Sequence, residues 1–296
     1  MNDNLIQPLS GMELKHPKTY QEQLDILRLR GLVVFDERKA IEALKRLNYF
    51  RLTAYALTFK KDGIFQEGTT FETLYRHYEF DSKLRNLLSE VIEYVEIAFR
   101  SHISYELGHK YGALGYRDSA NFRDHEYHNS FLSKLDYSLQ ESKDSFVIHY
   151  REKYNNQFPI WVAFEVLTFS NLSMLFRNLL QVDQKHITRT YYSNLDYLEV
   201  SNWLHGMTII RNRCAHYSRL FNYKLPVRIG FRVIDRKKDI SSNEIFAIIF
   251  NTKYLMTNKI IWQSWVTRLE ALVSEYREVD LGYLGFKEDW HALLTT

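Results

Sequence analysis

Residues 209–222 read IIRNRCAHYSRLFN and gather groups suited to work on a phosphate. Arg211 can clamp an anion and Asn212 can position one through its amide. His216 carries the one side chain whose ordinary pKa lets it both take and give a proton near neutrality. Together they are the parts needed for attack of a ribose 2′-hydroxyl on its neighbouring phosphate. That nucleophile already sits on the substrate, so no metal is required to make it. Arg219 follows just beyond.

The segment begins as a helix whose apolar stripe is Val200, Trp203, Leu204, Met207 and Ile210. At 100° per residue, Arg211 falls about 40° from Met207 and is expected to continue that stripe. A guanidinium there needs a carboxylate, a carbonyl or a phosphate as partner. An arginine that merely braces two helices through an internal carboxylate fits the spacing equally well. Arg211 and His216 lie about 140° apart around an unbroken helix. One copy therefore aims both at one phosphate only if the helix bends or ends between them. A two-fold pair of chains offers another route, with two Arg/His pairs in one cleft.

Other polar groups are weaker candidates. Glu96 and Arg100 form an i,i+4 pair in the favourable order, readable as an ordinary ion pair; Glu93 shares their face. His125 and His128, in RDHEYH, lack a third ligand at useful spacing, so no metal site is expected. Arg228, Arg232, Arg236, Lys237 and Lys238 make the densest basic segment, broken by Asp235 and Asp239. It reads either as a solvated face or as a track for an RNA backbone. The single cysteine, Cys214, excludes an internal disulfide framework and reads as a small buried apolar residue.

Long helices must position these residues, because four prolines and eleven glycines in 296 residues leave few breaks. YQEQLDILRLRG reads as a helix stopped by Gly31, and Asp36 as the cap of a second helix carrying Ile41, Leu44 and Leu47. Residues 49–68 look irregular. Thr69 and Glu72 have capping-box spacing, opening a long helix through Leu84, Leu88, Val91, Val95, Phe99 and Ile103 that Gly108 and Gly112 should end. A polar loop over 111–128 precedes a helix at 129–141. Pro159 opens a further helix, IWVAFEVLTFSNLSMLFRNLL, and Ser193 with Asp196 resembles a cap for the helix that carries Arg211. VRIGFRVI alternates like a strand, ambiguously, and helix returns over 244–277. The fold class expected is all-α, with residues 1–225 as the main body and 226–296 as a helical extension packed on it.

A formal net charge of +3 permits a polyanionic partner without demanding one. The apolar runs IWVAFEVLTF and EIFAIIF are too short to span a bilayer, and the N-terminal residues lack the pattern of a secretory signal. A cytoplasmic protein is expected.

R-N-x-x-A-H is also the R-x4-H form of the motif of HEPN (higher eukaryote and prokaryote nucleotide-binding) domains. Around it, HPKTYQEQLDILRLRGLVV, LNYFRLTAYAL, GTTFETLYRHYEFDSKLRNLL, VEIAFRSHISYEL, PIWVAFEVLTFSNLSMLFRNL, RNRCAHYSRLFN and LGFKEDW occur in the order of the Abi-like (AbiD/AbiF) abortive-infection family, which the chain resembles over roughly residues 15–292. One departure is FSN at 169–171, where the family pattern has a glycine after the phenylalanine. The resemblance implies a HEPN-like helical bundle and a ribonuclease in an anti-phage or toxin–antitoxin setting. Its motif positions fall on Arg211, Asn212 and His216, with Arg219 in support and Glu96 and Arg100 beside the motif helix, orienting its arginine. It further implies an RNA substrate, a homodimer, restraint by a small RNA or protein antitoxin, and no cofactor. A non-catalytic RNA- or protein-binding module on the same fold is the alternative.

Overall fold

In a computed structural model the described residues are 16–193 and 195–296, so most of the segment read for a leader lies outside them. The chain divides into two compact units, the first ending at Tyr78 and the second running from Glu79 to Thr296.

In the first unit, local caps set the helices. Thr19 opens α1 (Tyr20–Leu29) through a full capping box: its Oγ1 accepts the Glu22 N–H at 3.2 Å, and the Glu22 carboxylate accepts the Thr19 N–H at 2.7 Å. Gly31 stops the chain in the left-handed region, φ +89°, where a side chain would be strained. Asp36 caps α2 (Glu37–Arg46) by accepting the Lys39 N–H at 3.0 Å. Leu24, Leu27, Ala40, Leu44 and Leu74 are buried together as its core. Residues 49–68 are less irregular than their sequence suggests. They form α3 (Tyr49–Thr53), a 3-10 turn and a two-stranded antiparallel hairpin, β1 (Lys60–Lys61) with β2 (Ile64–Phe65). Elements of two to six residues are too short to show a period. The helix α4 (Phe71–Tyr111), within which the division between units falls, is capped one residue later than expected. Thr70 Oγ1 accepts the Thr73 N–H at 3.0 Å, while Thr69 Oγ1 donates to the Gln66 carbonyl.

In the second unit, α4 runs past Gly108, an expected stop, and ends at Gly112 with φ +81°. Two 3-10 turns lead to α5 (His125–Glu141), which starts earlier than expected because Asp124 accepts the Tyr127 N–H at 2.9 Å. The helix α6 (Ser145–Lys153) follows. The single helix expected after Pro159 is broken into α7 (Ile160–Ala163), a 3-10 turn and α8 (Phe169–Asn178). Leu167 is extended, ψ 137°, and Thr168 caps the new start by accepting the Asn171 N–H at 3.3 Å. Continuous apolarity concealed that break. After α9 (Gln181–Tyr191), Asp196 caps α10 (Tyr197–Ala215) by accepting the Leu198 N–H at 2.7 Å.

VRIGFRVI forms no strand. Its backbone is satisfied instead by side chains: Asn202 bonds the Arg228 carbonyl and the Gly230 N–H, and Trp203 Nε1 donates to the Gly230 carbonyl at 2.8 Å. Gly206 permits this approach, since a Cβ there would meet Ile229 and Ile248 at 2.5 Å. The expected helix over 244–277 is two, α11 (Ile245–Leu255) and α12 (Lys259–Glu275), because Asn258 caps a fresh start; α13 (Trp290–Thr295) follows. The core of this unit draws on Phe99, Phe176, Trp203, Met207, Ile210, Phe246 and Phe250, with Phe99 edge-on to Phe176 at 5.6 Å. The architecture is an all-α bundle, and no helix among the described residues is long and apolar enough to cross a membrane.

Candidate functional site

The stripe of α10 is buried as expected, from Val200 through Trp203, Leu204, Met207 and Ile210 to Cys214. Arg211 does not continue it. The 40° offset sets its Cα at the seam, and its side chain emerges 42% exposed, with Nε 3.7 Å from Glu96 Oε2. A long aliphatic stem can lie along apolar surface while the head reaches water. Burial of the guanidinium, read from the helical wheel alone, is therefore corrected.

Glu96 is the hinge of a three-residue constellation. Its Oε1 accepts from Arg100 Nη2 at 2.8 Å, and the same Nη2 donates to the Leu167 carbonyl at 2.9 Å. That carbonyl is available because the helix breaks at Leu167. Arg100 Nε is buried without a hydrogen-bond partner. Glu96 and Arg100 are mostly buried, 12% and 13% exposed, so the carboxylate that faces Arg211 is itself held in place. Glu93 is exposed, and the carboxylate facing Arg211 belongs to Glu96. At 3.7 Å and half in solvent, the Glu96–Arg211 pair contributes at most ~1 kcal/mol to stability. The contact orients Arg211 without locking it.

His216 sits where α10 stops. It is the C-cap, its N–H donating to the Asn212 carbonyl at 3.0 Å. Tyr217 then turns left-handed, φ +55°, its N–H reaching the Cys214 carbonyl at 3.0 Å while Ser218 N–H reaches the Arg213 carbonyl at 2.8 Å. These paired bonds make a Schellman motif. Asn212 and His216 are both exposed. Arg213 ties the loop down, donating to the Arg219 carbonyl and lying over the Tyr223 ring at 3.5 Å. Arg219 is half-buried, and its carbonyl is what Arg213 holds.

One anchor escaped the sequence reading. Asp81, fully buried on α4, accepts the Leu220 N–H at 3.0 Å and the Phe221 N–H at 2.7 Å, and pairs with Arg85, which is 4% exposed. The chain leaving His216 is thus fastened to a buried carboxylate. The signal was present: Asp81 and Arg85 interrupt the apolar run of Phe80, Leu84 and Leu88 at i,i+4 spacing. Charges on a buried stripe require partners.

The remaining candidates lie elsewhere. His128 is buried, stacked on Phe122, with Nε2 2.8 Å from the Tyr116 carbonyl, and His125 starts α5. Arg228 and Lys237 are exposed, Arg232 lies over the Tyr254 ring at 4.7 Å, and Lys238 pairs with Asp235 at 3.1 Å. Among the described residues, no hydrogen bond or ion pair joins this segment to Arg211, Asn212 or His216. It contributes instead to a cationic neighbourhood around Lys253. Burial, then Lys238, pull that ammonium down to about 8, against Asp235, with Arg232 and Lys259 adding to the fall. A groove of about 970 Å³ in the first unit is lined by Phe35, Arg38, Glu42, Phe71 and Tyr75 and holds no motif residue.

Comparison with known proteins supplies the rest. No curated protein and no solved structure matches the chain. The family described as Abi-like protein matches residues 42–222, a span that contains Asp81, Glu96, Arg100 and the whole of the 211–219 motif. More than half of the 296 residues are matched, so the chain belongs to the Abi-like family, and that membership points to abortive-infection defence.

Proposed function

We propose that this protein is a metal-independent endoribonuclease, an abortive-infection effector that cuts RNA during phage attack. The observation that carries the reading is the exposure of Arg211, Asn212 and His216 in the last turn and cap of one helix, with Arg211 oriented by a buried carboxylate. In the reaction, the ribose 2′-oxygen bonds to phosphorus while the bond from phosphorus to the 5′-oxygen breaks. One imidazole takes the 2′-hydroxyl proton and an acid returns a proton to the leaving 5′-oxygen. Arg211 stabilises the charge on the phosphorane, and Asn212 holds either a phosphate oxygen or the imidazole. The products are a 2′,3′-cyclic phosphate and a 5′-hydroxyl. Restraint in healthy cells falls to an RNA or protein antitoxin.

A homodimer completes the scheme, placing two motifs in one cleft so that one histidine serves as base and the other as acid. Mixed dimers of wild-type and His216→Ala chains then retain well under half of wild-type activity, whereas half activity means independent sites. A non-catalytic binding module is the second reading, favoured by the carboxylate that Arg211 already faces. The deciding experiment incubates purified protein with total RNA in EDTA and maps the cut ends. Cleavage to the stated ends, lost in His216→Ala while RNA binding persists, supports the enzyme. Activity that vanishes in chelator and returns with Mg2+ or Mn2+ sinks the mechanism.

A further inference from the structure

Val233 and Ile234 are adjacent in the chain and both stand in solvent, 71% and 66% exposed, at the start of a 3-10 turn (Val233–Lys238). The fold holds them there. The next residue, Asp235, is turned inward and buried, accepting from the Tyr254 hydroxyl at 2.7 Å and pairing with Lys238 at 3.1 Å. Upstream, Ile229 is buried, and the Gly230 carbonyl accepts from both Trp203 and Asn251. With the turn fastened on both sides, the two aliphatic side chains cannot fold inward without breaking the Asp235 contacts. Single exposed apolar residues are ordinary on a protein surface, but an adjacent pair fixed in water calls for a partner. The flanking sequence is cationic. Arg228, Arg236 and Lys237 are exposed, and Arg232 and Lys238 are half-buried. They outnumber Asp235, Asp239 and the half-buried Glu199 of α10, which lies in the field of Arg232 and Arg236.

We infer that this turn docks on an anionic membrane surface, with Val233 and Ile234 entering the headgroup layer and Arg228, Arg236 and Lys237 meeting lipid phosphates. An apolar wedge with a basic rim matches that boundary, where aliphatic groups reach the acyl region and cations stay among the headgroups. RNA phosphates would engage the rim but leave Val233 and Ile234 in water, since neither has a flat face on which a base stacks. A groove on another protein would take the pair but needs an acidic border to meet the cations. Docking of this kind lies outside the proposed RNA cleavage and requires neither Arg211 nor His216.

The test is co-sedimentation of the full-length protein with vesicles of phosphatidylcholine alone, and with about a third phosphatidylglycerol added. Wild type binds the mixed vesicles and not the neutral ones, and binds more weakly as salt rises to about 0.5 M. Val233→Ser combined with Ile234→Ser lowers the partition coefficient about 10-fold or more, with Tm and RNA binding unchanged. Arg236→Gln combined with Lys237→Gln lowers it about 5-fold per charge removed. Ile234→Cys carrying an environment-sensitive dye shifts its emission to the blue on mixed vesicles only; Cys214, being buried, is left unlabelled. Equal sedimentation with both vesicles, or with neither, overturns the docking. So does a stable serine pair that binds vesicles as wild type does, or one that loses RNA binding instead, which gives the surface to RNA. If the serine pair lowers Tm, the dye decides, and emission at 234 that vesicles leave unchanged overturns the proposal.

Discussion

Replacing Asp81 by asparagine removes one negative charge from the interior and changes little else in shape. In the native protein the carboxylate is fully buried, pairs with Arg85, and accepts the backbone N–H groups of Leu220 and Phe221 at 3.0 and 2.7 Å. The amide oxygen can still accept from that backbone, but Arg85, 4% exposed, loses its counter-charge. Breaking one side of a buried ion pair costs about 3–5 kcal/mol, because the remaining charge stays desolvated. Asp81→Ala is worse, since it also orphans two backbone donors at ~1–3 kcal/mol each. Against a total stability of about 5–15 kcal/mol, that approaches unfolding. The informative variant is the double one, Asp81→Asn with Arg85→Met, in which both charges leave together and most of the loss returns. Urea denaturation at fixed m-value measures all three. A loss under ~1 kcal/mol for Asp81→Asn, or no recovery in the double variant, refutes the account of a buried anchor behind the motif.

Arg211→Lys should damage cleavage nearly as much as Arg211→Ala, because a planar fork grips two phosphate oxygens and a point ammonium does not; near-normal turnover for the lysine variant contradicts this. Lys253, held at about 8 in the fold against 10.5 in the free chain, makes the unfolded state bind more protons between those values, so its contribution to stability rises with pH across that window. Lys253→Met should therefore be more stable than wild type at pH 7, by up to ~3 kcal/mol before the lost bond to the Leu293 carbonyl is subtracted, with the gap closing by pH 10; a gap independent of pH contradicts the burial argument. Burial pushes the Cys214 thiol up to about 11, so thiol reagents should leave the native protein unlabelled near pH 8 and label it fully in denaturant; rapid labelling of the native protein overturns that placement.

Part of what is made within a few residues was legible in the sequence, although the 60–65 hairpin and the caps at Asp124, Thr168 and Asn258 were not. Asp36 and Asp196 are caps because a short acceptor reaches an N–H two or three residues on, and Gly31 ends α1 because its φ is positive. The stripe from Val200 to Ile210 is a 3.6-residue period, and it is buried as that period requires. The all-α class follows from such signals summed along the chain. The Arg211, Asn212 and His216 set is likewise local in sequence, and α10 stays helical through Ala215 with His216 as its C-cap.

Tertiary structure decided which partners these residues meet. Glu93 and Glu96 share a face in projection, yet only the latter sits opposite Arg211, and the Arg100 that holds it depends on a carbonyl freed by the break at Leu167. That break lies inside a stretch whose apolarity is continuous, because both fragments are buried whichever way the backbone turns. The strand-like alternation after Pro226 came to nothing because Asn202 and Trp203 had already claimed its backbone groups. Asp81 reaches across about 140 positions to the chain leaving His216, a distance no period or cap encodes. Local sequence sets what each helix can bury, and packing between helices alone determines which charges face one another.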